Sequence, residues 1–120
     1  MSRKRIVSTL TSLGLSKAEL RIYVFIAMEG PQEIRTLAKA LKITQNEAVN
    51  SLEILKNKGL VTVMNSVIPS EVYALSFEKA LDLLVENNLK QAQITEQNKT
   101  AILEDWDSMI KNYQKNEVNR

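Results

Sequence analysis

The side chains of this chain best suited to specific chemistry are amides. Gln45, Asn46, Asn50 and Asn57 follow one another along a single stretch. An amide sets a donor beside an acceptor, the pair needed to hold the N6 and N7 edge of adenine. At about 100° per residue on a helix, Asn46, Asn50, Glu53 and Asn57 fall on one side, while Ala48, Leu52 and Leu55 fall on the other with Val49 flanking them. One side packs and the other is presented. Glu53 faces the same way as the amides, where its carboxylate either accepts from a cytosine amine or repels nucleic acid. A polar face that is merely solvated is the ordinary alternative.

Other chemistries are poorly supplied. Cysteine and histidine are absent, which removes disulfides, thiolate metal sites, and the commonest acid–base group and metal ligand. Three glycines leave no loop to cradle a phosphate. Glu104, Asp105 and Asp107 cluster at a helix end, where solvation accounts for them. Neither catalysis nor a cofactor is expected. The net charge is +2, but residues 1–60 sum to +5 and residues 61–120 to −3, so the first half is the one suited to phosphate. Thr44, Arg35, Lys39 and Lys42 are its candidate phosphate contacts, with Arg3, Lys4 and Arg5 as a basic arm. No apolar run of signal-peptide type follows that arm, and no stretch is long enough to span a membrane. A cytoplasmic location is expected.

The amide stretch needs elements to position it. Ile34, Leu37, Ala38 and Leu41 have the spacing of a short helix with one buried face. Lys42 and Ile43 turn a corner, and Thr44 with Glu47 forms a capping box: the hydroxyl accepts a first-turn N–H and the carboxylate reaches back to the cap. The helix so started runs to Lys58 and stops at Gly59. A short helix, a tight corner and a second helix with a presented polar face describe a helix-turn-helix, whose second helix enters the major groove of double-stranded DNA.

Supporting elements flank this pair. Arg3 to Leu13 reads as a helix closed by Gly14, and Ser16 with Glu19 is a second capping box opening a helix that turns Leu20, Tyr23, Ile26 and Ala27 inward and ends at Gly30-Pro31. After Gly59 the period changes to two. Leu60–Met64 and Glu71–Leu75 read as a hairpin, with Val67 and Ile68 near the tip and no cation in its loop. Ser76 then caps a long helix from Phe77 towards Lys115. Leu81, Val85, Ile102, Trp106, Met109 and Tyr113 fall on a heptad seam with a polar middle. If continuous, about 39 residues at 1.5 Å each would extend about 58 Å, more than the domain's own core needs, so a homodimer is expected. A helix broken near Asn98-Lys99-Thr100 and folded back is the alternative.

Leu13-Gly14-Leu15-Ser16, Gly30-Pro31, Leu52 to Leu55 and Lys58-Gly59-Leu60-Val61 together resemble the N-terminal domain of the TrmB family of archaeal transcriptional regulators, relatives of the MarR type. The likeness runs from about Leu10 to Leu89. It implies a winged-helix dimer that binds promoter DNA and dimerises through its last helix. This chain departs from the family at Glu47, Glu53 and an uncharged wing, where members often carry basic residues, so a weak phosphate grip is expected. Residues after the long helix are too few for the sugar-sensing domain of larger relatives, and no carbohydrate effector is carried over.

The expectation is therefore a mainly α protein with a small β-hairpin: a winged helix-turn-helix over residues 1–76 and a long dimerisation helix over 77–120. Gln45, Asn46 and Asn50 are expected to read bases. A winged-helix module that binds protein instead of DNA is the competing reading, motivated by the two glutamates and the Val67-Ile68 tip.

Overall fold

The computed structural model describes residues 3–66 and 68–118; Val67 lies outside them. The elements run α1 (Arg3–Ser12), α2 (Lys17–Glu29), β1 (Gln32–Glu33), α3 (Ile34–Leu41), α4 (Gln45–Asn57), β2 (Val61–Met64), β3 (Glu71–Ala74), α5 (Phe77–Gln97) and α6 (Lys99–Val118). The chain forms two compact units that meet between Glu86 and Asn87.

In the first unit three helices close by the same device. The N–H of Leu15 reaches the carbonyl of Leu10 (3.1 Å) and that of Gly14 reaches Thr11 (3.0 Å). Ile43 and Lys42 repeat the pair on Ala38 and Lys39, and Leu60 and Gly59 repeat it on Leu55 and Lys56. This is the Schellman closure, which needs a left-handed residue followed by an apolar one that packs back on the helix. Gly14 (φ +102°) and Gly59 (φ +80°) supply the conformation cheaply; Lys42 adopts φ +58° despite its side chain. Gly59 is held twice over, because a Cβ there would lie 3.0 Å from Leu83 Cδ2.

The apolar residues after these turns join one core. Leu10, Leu15, Ile22, Tyr23, Ile26, Leu37, Leu55, Leu60, Val72 and Leu84 are all buried in it, each such side chain contributing about 1.5–3 kcal/mol over exposure. Tyr23 buries a phenol as well, and its hydroxyl donates to the Leu75 carbonyl at 2.6 Å; among the described residues no buried side-chain nitrogen or oxygen lacks a partner. Ala27, expected inward, is exposed, and Ile22 takes the inward place. Leu20, Tyr23 and Ile26 are buried as expected, so the buried stripe is shifted toward Ile22 rather than replaced.

The hairpin is part of a three-stranded antiparallel sheet ordered β1-β3-β2. Val61 pairs with Ala74 and Met64 with Glu71, while Gln32 and Glu33 of β1 pair with Val72 and Glu71 on the other edge. β1 was not expected: two residues show no alternation, and only the neighbouring strand makes them a strand.

The one long helix expected from Phe77 is two helices, separated by a turn at Asn98. The reason is local. Asn98 Nδ2 donates to the Ile94 carbonyl (3.0 Å), the acceptor its own N–H also uses (3.1 Å), and Thr95 Oγ1 bonds back to Gln91 (2.9 Å). Such side-chain bonds compete with the main-chain ladder and bend helices. Described side chains from Val85 to Asn116 are all exposed.

Candidate nucleic-acid interface

α4 is seated before it presents anything. Thr44 Oγ1 accepts the Glu47 N–H at 3.0 Å, and Ala48, Leu52 and Leu55 are buried. The reciprocal half of the expected box is not formed; the Glu47 carboxylate stays exposed in the first turn, where the helix dipole favours it without a hydrogen bond. Asn46, Asn50, Glu53 and Asn57 are exposed on the opposite side, with Gln45 at the leading end. Val49 departs from expectation. It is 42% exposed, as Ile54 is 44% exposed, so both belong to the presented surface.

The corner is tied from behind. The Arg21 guanidinium donates to the Leu41 carbonyl at 2.9 Å, joining α2 to the end of α3. Arg35 and Lys39, one turn apart on α3, and Lys42 in the corner are all exposed, so the three cations expected near phosphate lie along α3 and its end. Arg3, Lys4 and Arg5 form the first turn of α1, a helical segment rather than an extended arm. The wing carries Ile68 at 94% exposure and Ser70, whose hydroxyl bonds Asn65 Oδ1 (3.0 Å).

The far end of α4 is held by a clamp that sequence reading missed. Lys58 Nζ lies 2.8 Å from Glu19 Oε1 and donates to the Gly14 carbonyl at 3.1 Å. Ser16 Oγ donates to the other oxygen, Glu19 Oε2, at 2.6 Å, while accepting the Glu19 N–H. Glu19 is 6% exposed. Burial pushes its carboxyl up, but the bonds from Lys58 and Ser16 and the Lys58 charge outweigh burial and hold it below the ordinary carboxylate value. The carboxylate expected to reach back to its own cap N–H has been diverted to another helix. The Ser16-x-x-Glu19 spacing was the visible signal; its partner Lys58 was not.

Residues 10–78 match the family described as "Sugar-specific transcriptional regulator TrmB". The chain belongs to the TrmB family. No curated protein matches it in sequence. Solved structures resemble this TrmB-family chain at low identity. The transcriptional regulator Tm0710 from Thermotoga maritima shares 17% identity with TM-score 0.58, over 98% of this chain and 88% of that one. A possible transcriptional regulator from Methanosarcina mazei Go1 shares 14% with TM-score 0.58, over 84% and 88%. A MarR family protein from Bacillus stearothermophilus shares 14% with TM-score 0.55, over 94% and 83%. At these identities the likeness is one of fold. Family and fold together make this TrmB-family protein a winged-helix transcriptional regulator and imply a protein that is not an enzyme. Among the described residues no helix is long and apolar enough to cross a membrane.

Proposed function

We propose that this chain regulates transcription as a homodimer that binds double-stranded DNA in a sequence-specific manner, with residues 1–76 on the DNA and residues 77–120 in the dimer. The observation that carries the reading is the α4 surface: a helix capped, clamped and packed on one side, with Gln45, Asn46 and Asn50 exposed together on the other. These amides read base edges. Thr44, whose O–H is available as a donor, joins Arg35, Lys39 and Lys42 on phosphate, and Arg3, Lys4 and Arg5 add charge from α1.

The dimer reading rests on apolar surface that this chain leaves open. Trp106 is 57% exposed, and Ile102, Met109 and Tyr113 are exposed with it. Leu103 and Ile110 widen the stripe on α6 to about 120°, broader than a two-stranded heptad seam and typical of a helix packed in a larger core. On α5 the exposed Val85 and the half-buried Leu81 complete the proposed set. Two-fold symmetry then sets half-sites about 34 Å, or a multiple, apart.

Selection of random duplex DNA by the purified protein at near-physiological salt tests this. Enrichment of a pseudo-palindrome is expected. Retention of no duplex would transfer the reading to a protein-binding winged helix, the alternative that the exposed Ile68 tip and the free Glu47 and Glu53 carboxylates favour.

A further inference from the structure

We infer that the base-reading surface of α4 selects A·T pairs in the major groove and that Val49 senses the methyl group of a thymine. The inference rests on the DNA-binding reading above and names the bases.

Three features of the same surface agree. Each base pair shows the major groove a different set of groups, and guanine shows only acceptors, N7 and O6, which Arg or Lys reads. From Gln45 to Glu53 there is no cation. The first on the helix is Lys56, on the side of Gln45 and Val49 but two turns beyond Val49 toward the C-terminal end. Glu53 projects from the exposed side beside Asn50 and Asn57. A carboxylate has only acceptor lone pairs, so it repels the acceptor edge of guanine and accepts a hydrogen from adenine N6 or cytosine N4, leaving the choice between those two to the amides. The three amides in turn match adenine's donor–acceptor pair.

Val49 completes the pattern. It stands one turn after Gln45 and Asn46 and one turn before Glu53, with 42% of its surface open. Helix formation gives no reason for it, because a β-branched side chain at an exposed helical position is a poorer choice than alanine. The thymine C5-methyl is the apolar group that the major groove offers. An exposed isopropyl group among base-reading amides is its complement.

The test uses the full chain and its own selected sites. Each thymine is replaced in turn by deoxyuridine, which deletes only the methyl group, and each adenine by 7-deazaadenine, which deletes only the N7 acceptor. Expected are half-sites with an A·T core, a loss of about fourfold in affinity at one thymine per half-site, the worth of one buried methyl, and losses at adenines opposite the amides. Val49→Ala, which keeps the helix, should bind thymine and uridine duplexes alike while still discriminating 7-deazaadenine. Sites centred on guanine, or a uridine penalty that survives in Val49→Ala, would overturn the inference and leave DNA binding intact. Failure to retain any duplex would overturn both.

Discussion

Lys42 occupies a backbone conformation that costs a lysine about 1 kcal/mol and glycine almost nothing. It sits where the helix-turn-helix corner closes, in a turn that Gly14 and Gly59 make elsewhere in the same molecule. Under the proposed DNA-binding function, the exposed ammonium at the end of α3 is the compensating feature. Lys42→Gly should therefore stabilise the protein by about 1 kcal/mol, raising the melting temperature by about 4–8 °C for a domain of this size. The same substitution should lower the salt dependence of DNA affinity by about 0.9 in slope. A thermal melt and a salt titration of one variant measure both. Higher stability with an unchanged slope would remove Lys42 from the phosphate-binding set.

Between elements, the Glu19–Lys58 clamp governs how α4 meets the turn between α1 and α2. Glu19 is held below its ordinary value of 4.5, so its contribution to stability is complete above the pKa of the unfolded chain and is lost as pH falls through the folded value. Glu19→Gln should cost about 1–3 kcal/mol at neutral pH and flatten the fall in stability below about pH 4.5. Lys58→Met should reverse the sign of this dependence, since burial then dominates and lifts the folded value above the unfolded one, so that the Glu19 contribution to stability grows as pH falls. Urea unfolding across pH separates the two.

What could be read beforehand divides along the same line. The helix starts at Ser16 and Thr44, the stops at Gly14, Gly30 and Gly59 and the hairpin are written in neighbouring residues, and they stand where expected. β1, the clamp and the exposure of Val49 are set by contacts distant in sequence, such as Glu33 with Glu71 and Glu19 with Lys58. The turn at Asn98 was local and legible as an alternative, but unbroken helical spacing on both sides outweighed one asparagine. Of the candidate site, the presented amide face was legible from its period, whereas the Arg21 tie behind the corner was not.

At the scale of the whole molecule, the apolar stripe of α6 argues for a second copy. Trp106→Glu puts a charge in the middle of that stripe without touching the first unit's core. Light scattering at micromolar concentration should find a dimer mass for the parent chain and a monomer mass for the variant. A monomeric parent would sink the seam altogether.

The exposed stripe has a further consequence in the cell. If the copies meet before they bind DNA, the number of competent regulators at low abundance rises with the square of the number of chains, because each requires two. Doubling the gene's output would then raise operator occupancy nearly fourfold near its threshold. A regulator that leaves Trp106 open until it finds its twin would measure its own dosage.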